Sequence, residues 1–160
     1  MKKMLVLSFL FLAFLACSGA KNGVSYYSVK DGDIIIAKIS GQEFRFFTVK
    51  SFEARAQGLS GRKEVPEDGM IFFFSEPQNL SFWMKDMLFA IDIVWVKGDT
   101  VVGVTKNALP EPGVELKDLK LYNSVQYADI VIELTAGDAD KYNIKPGKKF
   151  VFKKETQSDR

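Results

Sequence analysis

The chain has 160 residues, with 22 Lys plus Arg against 20 Asp plus Glu, one cysteine and no histidine. Lacking histidine, it lacks both the commonest metal ligand and the commonest general base, which excludes histidine-ligated zinc or haem and Ser-His-Asp chemistry. If Lys2 and Lys3 leave with a cleaved leader, the 22 basic residues fall by two to 20 and match the 20 acids, so no overall attraction to nucleic acid is expected.

Lys2 and Lys3 precede an apolar run from Met4 to Leu15, and Ala16-Cys17-Ser18-Gly19-Ala20 follows. A positive start, a short apolar stretch and small residues make a secretory signal. The run is about a dozen residues, whereas a membrane-spanning helix needs roughly 20. Leu15-Ala16-Cys17 resembles a lipobox, in which the cysteine is diacylated and becomes the first mature residue; Phe14 stands where Leu is more usual. The other reading is an ordinary signal cut near Ala20, with Cys17 discarded. On the lipobox reading, residues 1–16 are the signal and residues 17–28 carry the lipid and a tether. Residues 29–153 then form a single domain, and 154–160 a polar tail. The protein is then exported and membrane-anchored through lipid on Cys17, on a leaflet the sequence leaves open. Its mature domain has no thiol for a disulfide, a thiolate metal site or a nucleophile. No metal or other cofactor is expected, nor any nucleic-acid partner, and a monomer is expected.

The remaining chain reads mainly as strands. Ile34–Ile39 and Phe44–Val49 flank Ser40-Gly41-Gln42-Glu43 as a hairpin, and Ile91–Val96 and Thr100–Val104 flank Lys97-Gly98-Asp99 as a second. Met70–Phe74 is a buried-strand type of run closed by Glu76-Pro77. Ser81–Lys85, Ile130–Leu134 and Lys149–Phe152 complete the set. Val, Ile, Phe and Trp dominate these runs, as packing on a pleated surface favours. Ser51 can cap a short helix, Phe52–Gln57, that stops at Gly58, and Asp138 can cap a second over Ala139–Tyr142. The predicted fold is a compact antiparallel β-sandwich or jelly-roll-like barrel with one or two short helices. A long connection from Asn107 to Ser124 carries Pro110, Pro112 and Gly113; loops of that length are often functional.

The densest constellation runs from Arg55 to Asp92. It comprises Arg55-Ala56-Gln57-Gly58-Leu59, Gly69-Met70-Ile71-Phe72, Phe82-Trp83-Met84-Lys85 and Ala90-Ile91-Asp92. These strings resemble the domain of unknown function 192 family, whose pattern is R-x-x-G-L-M, G-M-L-F, F-W-M-K-N-T and I-P-L-D. Tyr127 to Gly137 resembles its Y-x-x-E-x-x-A-G tail with altered spacing, and the likeness covers roughly Phe44 to Phe152. Ser60, Asp86, Met87 and Ala90 depart from the pattern. The resemblance implies a compact β-sandwich of jelly-roll type and attaches no activity.

Asp92 lies between Ile91 and Ile93, where a carboxylate faces water or needs a partner. Arg55, Arg62 and Lys85 are its candidate partners. Either they form an internal salt bridge that fixes the short helix against the sheet, or Asp92, Lys85 and an arginine open onto a polar ligand. Trp83 and Met84 read as core or, if Trp83 is exposed, as a platform for a sugar ring or an extended peptide. Glu133 projects away from Ile130, Ile132 and Leu134 and either faces solvent or pairs with a basic residue. Tyr122 and Tyr127 read as packing residues, the Ser60 and Lys63 spacing is too common to mark a catalytic pair, and Gly58-Leu59-Ser60-Gly61 lacks phosphate-loop spacing.

The residues therefore read as a ligand-binding or scaffolding domain. Arg55, Arg62, Trp83, Lys85 and Asp92 would line a surface for an anionic or sugar-like ligand, a glycan or a peptide. One alternative is a carboxylate-dependent hydrolase of envelope glycans using Asp86 and Asp92. Another is a structural partner in an envelope complex, burying an apolar patch near Pro110–Leu121.

Overall fold

The computed structural model describes residues 28–153. The expected leader, Cys17, the expected tether up to residue 27 and the expected tail from residue 154 lie outside the described residues. Strands β1 (Ile34–Ile39) and β2 (Gln42–Val49) form the first hairpin. Ser40 and Gly41 both have positive φ, 54° and 85°, and a turn of that kind matches the twist of its strands. The turn is accordingly tighter than Ser40–Glu43, because Ile39 already pairs with Gln42. Helix α1 (Phe52–Gln57) follows, with Ser51 accepting a hydrogen bond from the Ala54 amide at 3.1 Å.

Strand β3 (Gly69–Gln78) does not stop before Glu76-Pro77 but runs past it. Its ladder to the neighbouring strand shifts register between Phe73 and Gln78, and proline is tolerated at such irregularities. Strand β4 is only Ser81–Phe82, shorter than the Ser81–Lys85 expected. β5 (Ile91–Lys97) and β6 (Thr100–Ala108) form the second hairpin around Gly98, and β6 outruns its expected end at Val104. Within the long connection lie a 3-10 turn at Leu116–Asp118 and β7 (Tyr122–Asn123), which pairs with β4. β8 (Ala128–Thr135), α2 (Asp138–Lys141) and β9 (Phe150–Phe152) end the described chain. Gly137, with φ 94°, takes the cap position expected of Asp138.

Seven strands form one sheet in the order β6-β5-β8-β3-β2-β1-β9. Every pairing in it is antiparallel except β2 with β3, where Phe46 lies beside Gly69 and Val49 beside Phe72 in parallel register. Parallel neighbours need a long crossover, and α1 with the segment up to Asp68 provides it. The sheet curls until its two edges meet at one end. Thr100 bridges Lys149, the Phe150 amide donates to the Asp99 carbonyl at 2.8 Å, and the Val101 amide donates to that of Lys148 at 2.9 Å.

Curling gives the sheet an inside and an outside. Inside, Ile39, Phe46, Ile71, Val94, Ile132 and Phe150 are in one buried cluster. Outside, Met70, Phe72, Ile93, Trp95 and Val131 form a second cluster, covered by Leu59, Leu80, Met84 and Met87. β3, β5 and β8 are thus buried on both faces along much of their length, which is why they read as unbroken apolar runs while β1 and β2 partly alternate. At the centre, a Cβ on Gly69 would lie 2.9 Å from the Glu133 carbonyl oxygen, so glycine lets β3 pass this closely to β8.

Candidate functional site

The outer cluster is incompletely roofed. α1 and the loop after it form one wall of a cleft, and the Phe82-Trp83 segment forms the opposite one. Gly58 ends α1 with φ 49° and ψ −126°, a conformation that favours glycine, and its amide donates to the Ala54 carbonyl at 2.9 Å. The chain then turns under the second wall. The Ser60 hydroxyl donates to the Lys85 carbonyl at 2.7 Å, and the Gly61 amide donates to that of Asp86 at 2.8 Å. These bonds tie the two walls together. Between them lies a cavity of about 370 Å³, within the range of small-molecule sites.

Aromatic rings dominate the walls: Phe52, Phe72, Phe74, Phe82 and Trp83. Phe82 stands edge-on to Phe72, with centroids 5.0 Å apart, and to Trp95 at 5.5 Å, so it is locked in place. Trp83 turns outward and is 43% exposed while Met84 beside it is buried. Met84 is therefore a core residue, and Trp83 lies at the surface.

The floor is Glu133. It lies on the outer face of β8, in register with Met70 of β3 and Ile93 of β5. The residue is 5% exposed, and Oε2 has no hydrogen-bond partner among the described residues. Burial alone pushes its carboxyl up to about 8, with no cation near enough to offset that. Glu133 thus does not face solvent, and among the described residues it pairs with no basic residue. The available sequence signal was an acid in a strand whose neighbours on both sides are apolar.

The other residues read from sequence are dispersed. Arg55 lines the cleft, but its Nη1 donates to the Lys50 carbonyl at 2.6 Å and the Phe73 carbonyl at 2.9 Å, and its guanidinium lies 4.7 Å from the Phe74 centroid. Arg62 sits over Phe47 at 5.2 Å. Lys85 pairs with its exposed neighbour Asp86 at 2.6 Å, beside a separate hollow that includes Glu111 to Leu116.

Asp92 departs most from expectation. It is buried, yet Arg55, Arg62 and Lys85 are not its partners. Its Oδ1 accepts from the Asn107 amide at 2.8 Å, and its Oδ2 accepts from the Gly137 and Ala139 amides at 2.9 Å each. Backbone donors from β6 and the start of α2 satisfy it, on the inner face of the sheet and apart from the cleft. Asp86 and Asp92 consequently do not share a cavity. Among the described residues, no three His, Cys, Asp or Glu side chains converge as a metal site would require.

Comparison with known proteins accords with this architecture. A candidate transcription regulator from Sinorhizobium meliloti 1021 has a similar structure, with a TM-score of 0.67, 22% identity, and coverage of 78% of this chain and 97% of its own. A protein of unknown function from Novosphingobium aromaticivorans DSM 12444 has a TM-score of 0.66 and 29% identity, over 82% of this chain and 93% of its own. No curated protein matches the sequence. The model of the DUF192 family, described as an uncharacterized ACR, matches residues 35–152. That span takes in every wall of the cleft and its floor, and the chain belongs to the DUF192 family.

Proposed function

We propose that this protein is a lipid-anchored ligand-binding domain of the cell envelope, and that the cleft over Glu133 is its binding site. The observation that carries the reading is the buried Glu133 carboxyl, with an unpartnered oxygen at the floor of an aromatic-walled cavity of about 370 Å³. A buried polar group without a partner is costly, so a ligand that reaches Oε2 gains a hydrogen bond nothing else supplies. The ring faces suit a flat or apolar body, and exposed Trp83 stands at the rim. Cys17 would hold the domain at the membrane through its lipid, with the residues up to Ser28 as a tether.

Two measurements on the full chain test this. Cys17→Ala should move the protein from the membrane to the soluble fraction and abolish labelling by a clickable fatty acid; unchanged fractionation defeats the anchor. Envelope glycan fragments, peptides and small metabolites can be screened by Trp83 fluorescence in detergent micelles, with Trp83→Phe as the blank. If no compound both shifts the signal and loses that effect in Glu133→Gln, the cleft is not a binding site.

A second reading, a protein partner, has its own support. Leu109, Leu116, Leu121 and Val125 are all more than half exposed in or beside the long connection. A photo-crosslinker at position 116 that captures no envelope protein in cells removes it.

A further inference from the structure

We infer that the ligand of this cleft is an organic cation, an amine or quaternary ammonium group on an apolar or aromatic body, with Glu133 as its counter-ion. The inference rests on the cleft being a binding site and adds the charge of what enters it.

Three features point the same way. First, Glu133 is the one acid among the residues lining the cleft, and its Oε2 is without a partner. Second, the walls are rings whose faces carry negative potential and attract positive charge. The same side of the protein already uses them so, with Arg55 over Phe74 and Arg62 over Phe47. Third, the other ionisable group lining the cleft, Arg55, is held by two carbonyls and the Phe74 face, while the shift at Glu133 comes from burial. The groups beside Glu133 on the neighbouring strands, Met70 and Ile93, are apolar. Once ionised, Glu133 repels an entering anion and gives a cation its counter-charge, the one acid among the lining residues.

The arrangement gives binding a characteristic pH response. Burial holds the Glu133 carboxyl up at about 8, so the empty cleft is mostly protonated at neutral pH. A permanent cation must displace that proton to pair with the carboxylate. Its affinity should therefore rise about tenfold for each pH unit between roughly 6 and 8 and level off above. A ligand that only accepts a hydrogen bond from the neutral acid shows the opposite trend.

The test uses the full chain in detergent micelles and three probes: benzyltrimethylammonium, its neutral isostere neopentylbenzene, and phenylacetate. Trp83 fluorescence follows binding from pH 5.5 to 9. The expected result is at least tenfold tighter binding of the cation than of the isostere at pH 8.5, with the rise described. Glu133→Gln should abolish both the preference and the pH response, with its amide spectrum showing an intact fold. Binding of neopentylbenzene or phenylacetate as tight as that of the cation overturns the inference and leaves the cleft a binding site. Cation binding that ignores pH or survives Glu133→Gln overturns it too. Binding of none of the three overturns it, and failure of the wider metabolite screen as well would separately remove the cleft as a binding site.

Discussion

Asp92 and Glu133 lie on adjacent strands one step apart in register, since Asp92 pairs with Leu134 and Ile93 with Glu133, yet their carboxyls serve opposite faces of the sheet. The inner one accepts three backbone amides, whereas the outer one leaves Oε2 with none. A shift of a single residue reverses which side of a strand a group occupies, and here that divides a satisfied acid from an unsatisfied one.

The inner acid should behave as a structural clamp. Asp92→Ala strands the amides of Asn107, Gly137 and Ala139 without an acceptor, and a loss of about 3 kcal/mol is expected. Urea unfolding followed by circular dichroism measures it. A change under about 1 kcal/mol would mean that those amides find other partners. At temperatures where the variant remains folded, binding in the cleft should be unchanged.

The outer acid should make stability depend on pH. The folded-state value of Glu133 is raised from 4.5 to about 8. Between those values the unfolded chain has released the proton that the folded chain keeps, so stability falls as pH rises through that window and flattens above it. Below about 4.5 both states are protonated and the penalty vanishes. The span corresponds to a fall of up to roughly 5 kcal/mol. Glu133→Gln should remove this part of the slope and stabilise the protein at pH 8.5. Unfolding midpoints at pH 5 and pH 8.5 for both proteins decide it, and identical slopes would mean that the carboxyl ionises freely.

Two adjacent residues of one wall should separate stability from recognition. Phe82 is wedged edge-on between Phe72 and Trp95, so Phe82→Ala should cost about 3 kcal/mol. Trp83 is 43% exposed, so Trp83→Ala should cost less than about 1 kcal/mol while weakening ligands that bind in the cleft. Thermal melts paired with calorimetric titration distinguish them, and equal destabilisation by both would make Trp83 a packing residue.

Close approach at the sheet's centre makes a further prediction. The Cβ of Gly69→Ala would meet the Glu133 carbonyl oxygen, the Leu134 side chain and Phe46 at about 3 Å. Backbone on one side and packed core on the other leave little room to yield, so a loss of about 1–3 kcal/mol is expected. A denaturation curve superposing on that of the parent protein would show that β3 and β8 can separate without penalty.

What was legible in the sequence was local. Ser51 and Gly58 mark the ends of α1 within a few residues of its body, and Gly41 and Gly98 mark two hairpins whose strands are neighbours in the chain. The Gly69-Met70 and Phe82-Trp83-Met84-Lys85 strings carried the family resemblance. What was hidden depends on distant partners. Nothing near β2 announces that it lies parallel to β3, because the pairing is set by a crossover. The donors to Asp92 come from positions 107, 137 and 139, a combination that no spacing rule encodes. Asp92 and Glu133 look alike in sequence, each an acid among aliphatic neighbours. Alternation sets Glu133 opposite Ile132 and Leu134, but only the fold shows that this outer face is covered and that Oε2 meets no donor among the described residues.

The junction of the two sheet edges bears on how the chain is made. Residues 147–152 supply both the strand that covers β1 and the backbone groups that reach Asp99 to Val101. While these residues are still to be delivered, β1 and the near end of β6 present unsatisfied hydrogen-bonding rows, the template on which chains add to one another. Synthesis runs from the N-terminus, and these residues follow the other strands of the described sheet, so a chain stalled shortly before Gly147 is the form most exposed to pairing with its neighbours.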